Sequence, residues 1–106
     1  MADYLANVRK YDSGASEELI AKLAKRFAIV LRNRDAANVS CTDPKELATV
    51  RENWMKKKLG MTDDDACDKV IASVCETMKG DRLKSRLTFY YLCAKEAGKL
   101  DVANNL

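Results

Sequence analysis

Histidine is absent from this 106-residue chain, and with it the side chain that titrates nearest neutral pH. Serine or cysteine nucleophiles activated by histidine are therefore excluded, and so are metal sites that combine cysteine with histidine. The sequence also lacks a glycine-rich phosphate loop, because Gly60 and Gly80 each stand alone. We therefore predict a protein that is not an enzyme and that holds no cofactor and no metal.

Proline and glycine are scarce, with one proline and four glycines in the chain. Such a low content of turn residues favours long helices over many short strands. Hydrophobic residues make up 47% of the sequence, which is enough to form the core of one domain. No apolar run approaches the roughly 18 residues that a membrane span needs, and the first residues do not have the pattern of a secretory signal. We expect a cytoplasmic protein that does not enter a membrane.

The chain has four cysteines but no C-x-x-C pair of the kind found in zinc and redox sites. Cys67 and Cys75 share the apolar face of a predicted helix, which favours small buried thiols over a disulfide or a metal role, and Cys93 fits the same interpretation. Cys41 precedes a predicted helix, where it is either an apolar anchor for its loop or a reactive thiolate near Lys45. We favour the anchor.

Apolar residues recur at helical spacing in five segments. The predicted helices cover residues 3–11, residues 16–32 with a Ser16 cap, residues 44–59, a segment from a Thr62 cap to just before Gly80, and a segment from an Asp81 cap to about Ala97. The apolar face of the second helix consists of Leu19, Ile20, Leu23, Phe27, Val30 and Leu31. Residues from about 99 to 106 are predicted to form a flexible tail. The sequence thus predicts an all-α fold, a compact single-domain bundle of about five helices.

The third predicted helix carries the clearest signal in the sequence. Thr42 or Asp43 can cap its first turn, Pro44 fits the first helical position, and Gly60 can adopt the left-handed conformation that ends a helix. Trp54 lies in register with the apolar stripe of this helix. We therefore favour packing of Trp54 in the core over a role as an exposed anchor for a partner protein.

Residues 39–60, together with the run Phe89-Tyr90-Tyr91-Leu92, resemble a group of small bacterial proteins catalogued only as a domain of unknown function. The likeness spans most of the chain and is densest between Ser40 and Gly60. It implies a stand-alone compact helical domain. It carries over no activity, cofactor or catalytic residue.

Positive charge is concentrated in part of the chain, although the net charge is only +3. The candidate basic surface consists of Lys56, Lys57, Lys58, Arg82, Lys84 and Arg86. Nucleic-acid binding is one interpretation of such a surface, and a solvated helix face is the other. Asp63, Asp64 and Asp65 would repel phosphate beside it, and they suit the first turn of a helix better than a metal site.

The leading functional hypothesis is a protein-interaction or accessory module that uses the loop at residues 33–42 and the neighbouring basic helix surfaces. A protein is the expected partner. A nucleic-acid-associated protein using the basic surface is the alternative, and a redox role that depends on Cys41 comes third.

Overall fold

A computed structural model of the chain describes residues 4–32, 37–81 and 84–105. Its helices are α1 Tyr4–Arg9, α2 Glu17–Arg26, α3 Ala28–Arg32, α4 Pro44–Thr49, a π-helical segment Val50–Lys56, α5 Asp64–Thr77, α6 Arg86–Glu96 and α7 Leu100–Asn104. No β-strand occurs in these ranges, where the bridge between Asn38 and Ser85 is isolated. The predicted all-α single-domain fold is confirmed.

Two helix starts follow the caps predicted from the sequence. The Ser16 hydroxyl accepts a hydrogen bond from the Leu19 N–H at 3.2 Å and so satisfies a free donor in the first turn of α2. At the start of α4, an Asp43 carboxylate oxygen accepts from the Lys45 N–H at 3.0 Å, and Pro44 occupies the first helical position. Of the two caps considered for this helix, the structure uses Asp43.

Two other predicted caps are wrong. The cap of α5 is Asp63 rather than Thr62, and its carboxylate accepts hydrogen bonds from the N–H groups of residues 65 and 66. A carboxylate adds a favourable charge at the positive end of the helix, which a hydroxyl does not. Helix α6 begins after Ser85, not after Asp81, because the Asp81 carboxylate accepts hydrogen bonds from Lys10 and Tyr11 next to α1.

The third predicted helix changes its hydrogen-bonding pattern halfway along. After α4, the Lys57 N–H donates to the Glu52 carbonyl and the Leu59 N–H donates to the Trp54 carbonyl, at 3.2 and 3.0 Å. Both bonds span five residues instead of four, which defines a π-helix. The buried residues here are Val50, Trp54, Met55 and Leu59, and their spacing of four to five fits the wider π turn. A turn at residues 57–59 follows the segment, and Gly60 comes after it with φ of 75°, the left-handed conformation predicted for this position.

The second predicted helix is interrupted at Phe27, which separates α2 from α3. The Phe27 ring meets the rings of Trp54 and Tyr90 edge-on, with both pairs of centroids 5.4 Å apart. Edge-to-face contacts of this kind are favourable because the positive edge of one ring faces the negative face of another. The interruption therefore coincides with the point where this helix joins the aromatic core.

A flexible tail is predicted for residues 99–106, and the structure describes this segment up to residue 105. The described part is not a flexible tail. It contains α7, and Ala103 of this helix is buried. Gly98, with φ of 72°, lets the chain turn back, and the Lys99 N–H donates to the Ala94 carbonyl at 2.7 Å. The short helix thus returns onto the end of α6.

Helix α6 is the centre of the fold. Residues 86–94 are all buried, and the helix contacts α1, α5, α7 and the π-helical segment. Trp54 is 1% exposed and stacks on Tyr90 with 4.9 Å between ring centroids. Its indole N–H donates to the Tyr90 carbonyl at 3.0 Å. Trp54 is therefore a core residue, and its alternative role as an exposed anchor is wrong.

Candidate interaction surface and cysteine site

The three consecutive lysines of the predicted basic surface differ in their surroundings. Lys56 forms ion pairs with Asp64 at 2.9 Å and with Glu52 at 3.3 Å. Hydrogen bonds to these two carboxylates, first Asp64 and then Glu52, raise the pKa of Lys56. Lys57 and Lys58 are exposed. Much of the charge that Lys56 would offer a phosphate is therefore already balanced by neighbouring acidic groups.

Arg86 lies in the core, which corrects its assignment to the basic surface. The residue is 7% exposed, and its guanidinium forms an ion pair with Glu46 and donates to the Tyr90 hydroxyl at 2.9 Å. Lys84 is half-buried and donates to the Asp81 carbonyl at 2.9 Å. Arg82 lies outside the described residues. The structure thus does not join the predicted cations into one exposed patch within the part of the chain that it describes.

A different group of cations lies on the two helices that follow the first loop. We call it the α2–α3 surface and define it by Lys22, Lys25, Arg26, Ile29 and Arg32, all of which are exposed. Ile29 is 84% exposed, whereas the other large apolar side chains that the structure describes are buried or half-buried. The sequence contained a signal for this position, because Ile29 falls outside the apolar face predicted for its helix.

The charges of the α2–α3 surface are largely unbalanced. Lys22 donates to the side-chain oxygen of Asn104 at 3.3 Å, so its neutral partner leaves the positive charge in place. Lys25, Arg26 and Arg32 form no ion pair with any residue in the described ranges. A shallow cavity of about 290 Å³ opens beside the first three cations, between α2 and Ala103 of α7. This surface is therefore positive, apolar at Ile29 and concave at one end.

Two aspartates connect α1 and the loop after it to the rest of the domain. Asp12 accepts hydrogen bonds from the Tyr91 hydroxyl at 2.6 Å and from the Gly14 N–H at 3.2 Å, and it forms an ion pair with Lys95 at 3.3 Å. The hydrogen bond from Tyr91 is the main cause of a lowered pKa at Asp12. The pKa of Asp81 is lowered by hydrogen bonds from Lys10 and then Tyr11.

We predict that acid weakens the fold through these two aspartates. Because their folded pKa values are lowered, they stabilise the fold above the unfolded value of about 3.9, and this contribution disappears as the pH falls through the folded values. Urea midpoints should therefore decline below about pH 4. The double variant Asp12→Asn/Asp81→Asn should be less stable than the wild type at pH 7, and the difference should shrink towards pH 2. A constant difference would contradict this, and Asp101→Asn on α7 is the matched control.

Cys41 and Cys75 form a disulfide, with their Cα atoms 5.9 Å apart. This contradicts the prediction that Cys75 is a free buried thiol, and it shows that Cys41 is neither a simple apolar anchor nor a free reactive thiol. The fold places the segment before α4 beside the last turn of α5, although 34 positions separate the cysteines in sequence. Cys67 and Cys93 are free and buried, as predicted, and burial raises the pKa of both thiols.

Neither a membrane-spanning element nor a metal site is present in the described parts of the chain. The helices there do not combine the length and apolar character that a membrane crossing requires. The carboxylates and thiols of the same ranges form no cluster that could hold a metal ion.

A family model described as "Protein of unknown function (DUF2853)" matches residues 3–101. The match covers nearly the whole chain and confirms the resemblance to a domain of unknown function. No curated protein matches the chain.

Proposed function

Because this chain belongs to the DUF2853 family, whose description assigns no activity, we propose a function from its surface: a non-enzymatic module that binds an acidic protein partner. The α2–α3 surface would be the binding site. The observation that carries the proposal is the 84% exposure of Ile29 next to cations that have no acidic partner among the described residues.

An exposed isoleucine alone is ordinary on a protein surface. The charges around Ile29 distinguish it, because Lys25, Arg26 and Arg32 retain most of their electrostatic attraction for an incoming carboxylate. Complementary charge increases the association rate and selects the partner, while a central apolar contact slows dissociation. An acidic surface with an apolar side chain or pocket at its centre would satisfy both parts of the α2–α3 surface.

The loop at residues 33–42, which the sequence suggested for partner binding, packs against the domain in the part that the structure describes. Residues 33–36 lie outside the described ranges. In the remainder, Val39 is buried, the Val39 N–H donates to the Lys84 carbonyl at 2.8 Å, and the Arg86 N–H donates to the Ala37 carbonyl at 2.7 Å. These contacts support a proposal that relies on the α2–α3 surface rather than on this loop.

Nucleic acid is the alternative partner, since phosphates would also meet the cations of α2 and α3. The two partners differ in how they would use Ile29. A phosphate backbone gains little from an exposed aliphatic side chain, whereas a protein interface gains from burying it. Loss of Ile29 should therefore affect the two kinds of complex differently.

We predict that Ile29→Ser and Arg26→Glu each weaken capture of an acidic protein by the tagged full-length chain at least about tenfold, because the first removes the apolar contact without adding charge and the second reverses a charge. The measurement is recovery from native lysate treated with nuclease. Lys69→Glu, at an exposed position on α5, is the matched charge control and should bind like the wild type. Capture that disappears with nuclease, or that survives Ile29→Ser but not Arg26→Glu, would favour nucleic acid instead.

A further inference from the structure

The Cys41–Cys75 disulfide joins two parts of the chain, and each part is also held in place by contacts other than the disulfide. Cys41 lies in the irregular segment before α4, and Cys75 lies in the last turn of α5. We propose that this pair is a reversible redox site that reacts with dithiols by thiol–disulfide exchange, and that its reduction releases the segment at residues 40–42 from α5 without unfolding the core. This proposal does not depend on the α2–α3 surface.

The four cysteines differ in how far a reagent can reach them. Cys41 and Cys75 are half-buried at the margin of the core, whereas Cys67 and Cys93 are each 0% exposed. Exchange requires a thiolate to approach one sulfur in line with the disulfide bond, so access limits the reaction. The exposed fractions therefore single out the bonded pair as the reactive one and leave the other two thiols protected.

The core is built from contacts that do not pass through the disulfide. Its centre is α6 with the stacked rings of Trp54 and Tyr90. Next to Cys41, the buried side chain of Val39 and its backbone hydrogen bond to Lys84 hold the preceding residues against the start of α6. On the following side, the Asp43 cap belongs to α4. Opening the bond therefore frees a short segment whose two ends remain attached.

The surroundings of the two sulfurs favour one direction of attack. Cys75 is in the last turn of α5, where the helix dipole makes the helix end partly negative, whereas the charge of the next residue, Glu76, is paired with Lys79 at 2.6 Å. Negative surroundings disfavour a thiolate there, so Cys41 is the better leaving group. We therefore expect an incoming thiolate to attack the Cys75 sulfur and to release the Cys41 thiolate, which then takes a proton from water.

The exchange balances with a dithiol as the reductant. The first thiolate of the dithiol forms a mixed disulfide with Cys75. The second thiol of the same dithiol, as its thiolate, then attacks the dithiol sulfur that is bonded to Cys75. This step releases Cys75 as a thiolate, which is protonated. Overall, two electrons and two protons pass to the protein, and the dithiol becomes a disulfide. Oxidised glutathione, a disulfide, reverses the reaction by accepting the same two electrons and two protons.

The test labels thiols of the full-length protein under native conditions. After oxidation with oxidised glutathione, a maleimide should label none of the cysteines. After dithiothreitol treatment, peptide mass spectrometry should find the label on Cys41 and Cys75, with Cys67 and Cys93 labelled only in denaturant. A bond that dithiothreitol opens only in denaturant would overturn the redox site. Labelling of all four cysteines after native reduction would overturn the claim that the core stays folded.

Two further measurements examine the mechanism. Brief treatment with reduced glutathione, stopped by acid, should place most of the mixed disulfide on Cys75, and a majority on Cys41 would overturn the proposed direction. The double variant Cys41→Ser/Cys75→Ser mimics the reduced state. Its backbone amides at residues 40–42 should exchange hydrogen faster than those of the oxidised wild type, while the Phe89 amide in α6 should be unchanged. Equal exchange at residues 40–42 would overturn release of the segment.

Discussion

Replacing Trp54 by alanine should destabilise the domain by about 3–5 kcal/mol, a large part of the stability of a protein of this size. The side chain is 1% exposed, its ring stacks on Tyr90, and Phe27 meets it edge-on. Truncation removes these contacts and leaves a cavity, because the π-helical backbone and α6 cannot close completely around an alanine. It also deprives the Tyr90 carbonyl of the indole N–H that donates to it.

The loss is measured by urea unfolding followed by circular dichroism, since the variant has no tryptophan to report on folding. Trp54→Phe is the matched control, because it keeps an aromatic ring and removes the indole donor. Its destabilisation should be smaller than that of Trp54→Ala. A loss below about 1 kcal/mol for Trp54→Ala would mean that the ring contributes little to the core.

The sequence predicted those parts of the fold that depend on neighbouring residues. The Ser16 cap, Pro44 in the first turn and the left-handed Gly60 are each decided within a few positions of the chain, where periodicity and capping rules apply. The central place of α6 has a similar origin, because apolar residues on several sides of a helix require several neighbours.

The π-helical segment could not be predicted in this way. Val50 and Trp54 are four positions apart, a spacing that suits both an α-helix and a π-helix. Trp54 and Leu59 are five positions apart, only one more than the α-helical spacing, so the sequence pattern does not distinguish the two kinds of helix. The choice depends on tertiary contacts. In the structure, the stack of Trp54 on Tyr90 accompanies the five-residue hydrogen bonds.

The candidate sites were harder to predict because their residues are distant in sequence. The disulfide joins cysteines 34 positions apart, and spacing alone cannot show which of several pairs meet. Arg86 has the same limitation, since its acidic partner Glu46 precedes it by 40 positions. Because the sequence does not show that Arg86 contacts Glu46, an arginine near a helix start is assigned to the surface, where most arginines are found.

The ion pair between Arg86 and Glu46 leads to the second large effect. Glu46→Ala should destabilise the domain by about 3 kcal/mol, because it removes a carboxylate that pairs with the buried Arg86 guanidinium. The Arg86 side chain is 8% exposed, whereas that of Glu46 is 23% exposed, so water can replace part of the lost interaction. We therefore expect the lower end of the range that is typical for a broken buried pair.

The double variant Glu46→Leu/Arg86→Met separates the cost of keeping the buried Arg86 charge without Glu46 from the loss of the pair itself. Removing both charges together avoids keeping a buried cation after its Glu46 carboxylate is lost, so this variant should recover much of the stability that Glu46→Ala loses. Glu52→Gln, which alters ion pairs of the more exposed Arg51 and Lys56, is the matched control and should cost at most about 1 kcal/mol. The free energies come from urea unfolding at pH 7. A double variant less stable than Glu46→Ala would contradict the argument, because it would mean that Arg86 stabilises the core mainly through Tyr90 and the backbone, with Glu46 contributing little.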